Sequence, residues 1–567
     1  MTSGSESMGA GAASAARLSP WAPLRHHVFR ALFIAQLVSN VGSLMQSVAS
    51  AWVMGGLGAS PALVASVQTA SVLPLFMLGI PSGALADIID RRRLLMLTQL
   101  AMIAASGALA LLTFADRVSP AALLGLTFAL GVGSAMATPA WQAIQPELVP
   151  KHEFGQAVAL GGLAFNVGRA VGPAIGGLLL AAAGAGWVFT VNAASFLGTM
   201  FALLRWRQER VEARLPAESL AGATRAALRY GMHAPILRTV MVRVAMLVLP
   251  AAAIQALLPV VIRGPLGLGS GAYGVLLGCF GIGAALTAVA RPRMAERLSH
   301  DGMVAWSSVV LAGTLLVQGY VPVAAAVGVA LFIAGFAWTT ALTTLNVAAQ
   351  ATLAGWVRAR GMGLYMLVLT GSIAIGSVAW GALASWSVAG AHGIAAAAVL
   401  AAAVLSRDRR LDVADTVDVT PVPGVEPVVT LTPAPSDGPV LVTVAYRVEV
   451  GDMEDFAAAM RGVERHRRRT GAYRWGLFRD LSDPERVLET FVVDSWAEHL
   501  RQHQRSTAST DTLIRRVSAY LDGTSAVGHY LSAYSPTGLD PMPPGAPVSS
   551  AFEPVPADEG DAGADQA

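Results

Sequence analysis

Three scarcities bound what this chain is. Charge is the first: only 13% of the 567 residues are Asp, Glu, Lys or Arg, while 54% are hydrophobic. Soluble domains carry about 25% charged residues, so a wholly soluble protein is excluded and much of the chain belongs in lipid. Cysteine is the second. Cys279 stands alone, so no internal disulfide forms; it falls in an apolar run and reads as core packing. Net charge is the third. The formal value of +3 is too small to argue for a nucleic-acid partner. Residues 1–20 also lack the basic start and apolar core of a signal peptide and read as a disordered cytoplasmic tail.

What the chain has in abundance is apolar runs at regular spacing. They predict spans over 31–54, 62–85, 94–114, 121–140, 157–183, 187–204, 240–261, 272–290, 303–320, 322–345, 362–384 and 388–405. Most are near the roughly 20 residues that cross a bilayer core. Alternate loops are basic: Arg91 to Arg93, Lys151, the 205–238 group, then Arg291, Arg293 and Arg297, then Arg358 and Arg360. The other loops hold almost no base, with Arg117 and Arg263 as exceptions. The positive-inside rule then places both ends of the membrane domain in the cytoplasm. A miscounted pair of spans would keep that orientation, so charge alone does not fix the number twelve.

The two sets of six echo each other. Leu85 and Arg91 to Arg93 after the second span are matched weakly by Leu286, Arg291 and Arg293 after the eighth, and Gln145 by Gln350. Gly168, Gly172 and Gly176 in the fifth span are matched by Gly371, Gly376 and Gly381 in the eleventh. Six-span repeats around a central site are a known transporter plan.

Two motifs narrow the reading. Gly83, Leu85, Asp87, Arg91 and Arg92 close the second span and its loop. Their spacing resembles the loop signature of the major facilitator superfamily, with Ile88 and Asp90 departing from it. Asn166, Arg169, Gly172, Pro173, Gly176 and Gly177 recur at three- and four-residue steps along the fifth span. Small residues at that spacing admit a neighbouring helix, and Pro173 bends its own. The Gly-Pro-x-x-Gly-Gly string resembles the fifth-helix motif of facilitator-superfamily exporters. Together with Asn192 to Phe196 in the sixth span, the chain from Leu24 to Arg410 resembles the enterobactin-exporter-like, or transmembrane secretion effector, family. The resemblance implies twelve helices in two six-helix halves, export of a small molecule such as a siderophore, secondary metabolite or drug, and proton antiport across the inner membrane. It also implies a conformational-switch role for the span-two loop and a gating role for the span-five motif.

Arg169 and Arg243 are the charges placed well inside spans. An intramembrane arginine faces a cavity or a partner, or bonds to helix carbonyls, or snorkels. Gln36, Asn40, Asn192, Arg243 and Gln255 are the candidate cavity residues, with Gln46 and Gln318 of the same type; a helix–helix hydrogen bond is the simpler role for each. No Asp or Glu lies within a span, so the sequence shows no carrier for a coupled proton.

The remaining organisation reads as follows: a tail at 1–24, a first half at 25–204, a basic connector at 205–238 with an amphipathic run at 219–230, a second half at 239–406, a linker at 407–438, a small domain at 439–533 and an acidic tail at 534–567. The small domain alternates strands and helices in the order βαββαβ, which is ferredoxin-like. It resembles antibiotic-biosynthesis-monooxygenase-like domains, which implies a homodimer through this part of the chain. His499 and His503 are four apart on a helix, a spacing that suits a metal, but the sequence offers no evident third ligand. Glu498, Arg501 and Arg505 lack a nucleophile or cofactor motif beside them. The expectation is therefore an exporter with no catalytic residues, cofactor or metal, whose partners are a small substrate and the bilayer. A membrane-anchored monooxygenase-like enzyme and a non-transporting membrane sensor are the alternatives, and the echo between the halves favours transport.

Overall fold

The computed structural model describes residues 19–206, 229–354, 356–408 and 433–532, with 410, 411, 418, 420, 422, 427, 429 and 430. Most of the expected tails, of the connector with its amphipathic run, and of the linker lie outside these residues.

Among the described residues twelve helical stretches carry the twelve apolar runs, each long and apolar enough to cross a membrane, the seventh only when taken across 235–263. They are α1 (His27–Gly56), α2 (Pro61–Ile88), α3 (Arg91–Phe114), α4 (Pro120–Leu148), α5 (Phe154–Ala183), α6 (Ala185–Arg205), α7 (Pro235–Ala251), α8 (Ser270–Ala295), α9 (His300–Tyr320), α10 (Ala324–Ala351), α11 (Arg358–Ala384) and α12 (Val388–Leu405). Starts are fixed locally. Asp90, Ser119, Ser299 and Ser387 cap α3, α4, α9 and α12 by accepting a first-turn backbone N–H, satisfying a donor the helix itself cannot pair. Large apolar side chains such as Leu97, Leu111, Val289 and Ile375 stay exposed on the outside, where hydrocarbon is their solvent.

The seventh run departs from one continuous helix over 240–261. Here α7 gives way to two short helical segments, Ala253–Ala256 and Leu258–Arg263. Proline is the cause. Pro259 cannot donate to the carbonyl of Gln255, and its ring crowds that carbonyl; Pro250 acts likewise one segment earlier.

The packing repeats between the halves. In the first, α1 packs on α5 and α6, α2 on α4, and α3 on α4 and α6. In the second, α7 packs on α11 and α12, α8 on α10, and α9 on α10 and α12. Adding six to each helix number turns one list into the other. Two seams join the halves, α2 with α11 and α5 with α8, and the same operation exchanges them. At the α5–α8 seam, a Cβ on Gly177 would overlap the backbone of Gly274, and one on Gly274 would overlap Gly177. At the α2–α11 seam, Gly381 meets Ala62 and Ala65, and Thr69 Oγ1 donates to Ala374 O at 2.9 Å.

The described chain forms two compact units: Met1–Gly424 with Ala458–Thr470 and Gln504–Ala519, and Val425–Ala457 with Gly471–His503 and Tyr520–Ala567. The second holds a four-stranded antiparallel sheet of β1 (Val440–Arg447), β2 (Arg474–Arg479), β3 (Arg486–Val493) and β4 (Ala526–Leu531), in the order β2-β3-β1-β4. Val440, Val442, Val444 and Tyr446 alternate inward on β1, as Val487, Glu489, Phe491 and Val493 do on β3. Period-two alternation is what a sheet with one covered face requires. Three helices accompany these strands in sequence, α13 (Met453–Thr470), α14 (Trp496–Gln504) and α15 (Ala508–Ser518).

Candidate functional site

Between the halves lies a cleft with about 700 Å³ of empty space, its open mouth included. Helix α1 supplies Leu44, Ser47 and Ala51, α2 supplies Gln68 and Ser71, α5 supplies Arg169 and Pro173, and α8 supplies Tyr273 and Phe280. Gln255 and Pro259 come from the broken stretch after α7. Irregular backbone at membrane depth is tolerated where it lines a cavity, and broken helices mark binding sites in other transporter folds.

Arg169 is the one charged residue of this lining. Its guanidinium lies 5.8 Å from the Phe165 ring centroid. Among the described residues no carboxylate hydrogen-bonds or ion-pairs with it. Beside the lining residue Tyr273 a clamp joins the halves. Arg263 Nη2 donates to Trp52 O at 3.1 Å, with its guanidinium 4.3 Å from the Trp52 ring centroid. Tyr273 stacks on the same indole at 6.0 Å.

The other expected residues fall elsewhere. Gln36 Nε2 donates to Asn40 Oδ1 at 2.9 Å, one turn along α1. Asn192 is buried and donates to Gln46 Oε1, and Ser106 Oγ lies 2.7 Å from the same oxygen. That network ties α1, α3 and α6 together. Arg243, expected as a cavity candidate, is buried and paired with Asp301 on the first turn of α9. Asp301 Oδ2 also accepts the Leu411 N–H at 3.1 Å. In the fifth-helix motif, Gly172, Pro173, Gly176 and Gly177 are buried whereas Asn166 is exposed. Gly172 and Gly176 lie against α1.

Gly83, Leu85 and Asp87 stand near the end of α2, where their side chains lie outside the described residues. Their loop partners are clear. Arg91 Nη1 donates to Glu147 Oε1 at 2.6 Å, at the end of α4. Arg92 forks onto the last carbonyls of α6, Leu203 O and Leu204 O, each at 2.9 Å. These carbonyls have no partner within their own helix, and the negative end of the helix dipole favours a cation there.

Sequence reasoning missed Gln68, Ser47, Ser71 and Tyr273 in the cleft. The isolated Gln68 in an apolar span was the available signal. It also missed Glu489, buried in the sheet, which accepts Tyr446 Oη at 2.7 Å and Trp475 Nε1 at 2.9 Å. It counted Asp301 as loop, because the ninth run was read from 303.

A family described as transmembrane secretion effector matches residues 18–537. The staphyloferrin A transporter of Staphylococcus aureus (strain NCTC 8325 / PS 47) is 34% identical over 116 residues, 20% of this chain and 29% of that one. The multidrug efflux pump Tap of Mycolicibacterium fortuitum is 30% identical over 221 residues, 37% of this chain and 53% of Tap. The enterobactin exporter EntS of Salmonella typhi is 26% identical over 328 residues, 56% of this chain and 76% of EntS. The chain thus spans about half or less of the first two. Among solved structures, an inward-facing bacterial homologue of the human lysosomal transporter Spinster aligns with a TM-score of 0.53 at 15% identity, covering 70% of this chain and 97% of that one. The nucleoside transporter NupG aligns with a TM-score of 0.53 at 13% identity, covering 67% and 98%. These likenesses establish the transporter fold of the twelve helices.

Proposed function

From the premise that the chain belongs to the transmembrane secretion effector family, we propose that it exports a small anionic molecule across the bacterial inner membrane by alternating access. The observation that carries this reading is Arg169 in the cleft between the halves, with no carboxylate paired to it among the described residues. A guanidinium at membrane depth needs an anion, carbonyls or water, and an anion arriving with the substrate is the one that gives the cleft a task. The named cargoes of the relatives, enterobactin, staphyloferrin A and drugs, suggest the size and kind of molecule. Acidic secreted metabolites fit best. Proton antiport belongs to the same proposal.

The remaining assignments follow from the loop charges. Both ends face the cytoplasm, so the Arg263–Trp52 clamp seals the outer end and the cleft is reached from inside. The span-two loop, with Asp87, Arg91 and Arg92, acts as the conformational switch. We read the small domain at 439–533 as ferredoxin-like, a reading that its sheet order β2-β3-β1-β4 supports. We read it as a cytoplasmic dimerising domain related to monooxygenase-like modules.

Two substitutions test the role of Arg169. Arg169→Lys keeps the charge and loses the planar fork, while Arg169→Gln loses the charge. A hydrogen bond to a charged group contributes about 1.5–3 kcal/mol, so export of an acidic substrate should fall by about ten-fold or more in Gln and less in Lys. The gap should close for a neutral substrate. Equal failure of both variants on every substrate, at equal protein level, would make Arg169 structural and remove the basis of the reading.

A further inference from the structure

Outside the membrane helices, the fold joins three histidines that the sequence keeps apart. His499 and His503 stand one turn apart on α14, and His529 lies on β4, at the edge of the sheet. One ligand nitrogen from each lies within 4.8 Å of the others. The His499 and His503 Nε2 atoms are 3.3 Å apart. The His499 ring centroid is 4.8 Å from that of His503 and 4.9 Å from that of His529. Trp496 walls the group, with centroid distances of 5.4 Å to His499 and 6.0 Å to His529.

We propose that His499, His503 and His529 form a binding site for a divalent first-row transition cation of the zinc class. Tetrahedral Zn²⁺ takes imidazole nitrogens at about 2.0–2.1 Å, which sets neighbouring nitrogens roughly 3.4 Å apart. The α14 pair already stands at that spacing, and the third nitrogen needs a shift of little over an ångström. A hydrogen bond between two imidazoles accounts for the pair. It does not account for His529, whose Nε2 is buried with no hydrogen-bond partner among the described residues. Burying such a group unpaired is costly, and a cation on the shared face would relieve it. An all-imidazole set selects zinc, nickel, copper or cobalt over magnesium and calcium, which prefer oxygen. Three protein ligands leave a fourth position for water or a small ligand.

The test uses the full chain, purified in detergent with an affinity tag that contains no histidine, stripped with chelator and titrated with Co²⁺. One equivalent should bind with the intense visible bands of a tetrahedral cobalt site, and Zn²⁺ should displace it. His503→Gln and His529→Gln should each weaken binding by at least about ten-fold, at least as much as losing a supporting residue of a metal site. A second measurement needs no variant. Zn²⁺ should protect the half-buried His503 and His529 from histidine acylation, read by mass spectrometry, and leave the exposed His152 reactive. The proposal fails if wild type binds no more cobalt than the doubly substituted chain, or if either single substitution costs less than ten-fold. It fails equally if Zn²⁺ leaves His503 and His529 as reactive as they are without it.

Discussion

Two arginines of the membrane body show how context decides what a buried charge does. Arg243 and Arg169 look alike in sequence, each a lone base in an apolar run. Arg243 meets Asp301, so its charge is spent on holding α7 to α9; replacing one member of such a pair leaves the other uncompensated. Arg169 meets the cleft. The sequence could not separate them, because Asp301 lies two residues before the expected ninth span and was counted outside it. Arg263 is a third case. It crosses between halves to the carbonyl and ring of Trp52, and a cation–π contact of this kind contributes about 0.5–2 kcal/mol. Arg263→Ala should therefore loosen that end of the cleft and raise the open population by up to about thirty-fold, since each 1.4 kcal/mol is a factor of ten. In cells carrying Ser71→Cys, labelling by an impermeant thiol reagent should rise when Arg263 is also replaced. Unchanged labelling would mean that other contacts hold the seal.

At the scale of elements, the helices were legible and their interruptions were not. Apolar runs near 20 residues leave few choices in lipid, so the expected spans all fall on helices. The break after α7 depended on Pro250 and Pro259, which the run 240–261 contains but which apolar character alone does not register. The strands of the small domain were legible from alternation and turn residues. Its three-histidine cluster was not, because β4 is brought to α14 by folding and not by spacing. Glycine spacing along α5 pointed to close helix packing; Gly172 and Gly176 lie against α1 and Gly177 against α8, and the distances give this consequence. Gly177→Val should force α5 away from Gly274 and disrupt the seam, lowering stability by roughly 1–3 kcal/mol, as overpacking does. Gly198→Ala on α6, with open space at that position, should be neutral or better, since alanine favours helix by about 1 kcal/mol over glycine. Thermal unfolding of both variants in detergent makes the comparison; equal melting points would mean that the seam yields to a side chain.

For the whole molecule, orientation is the first quantity to measure. In a Cys279→Ser background, single cysteines at Arg92, Arg207 and Val527 should resist an impermeant reagent in intact cells, and one at Gly58 should react. Labelling at Val527 before lysis would overturn the assignment of the ends. The exchange of the two seams by the half-to-half operation reaches further. If the halves rock about the cleft, tightening α5 on α8 and tightening α2 on α11 are the same mechanical act performed by opposite partners. The second state then requires no separate set of docking faces. Its free energy relative to the first follows from where the halves have drifted apart in sequence: glycine against glycine on one seam, glycine against alanine on the other. The bias of such a machine is a ledger of differences between two copies, and a single methyl group, added on one side, is enough to tilt it.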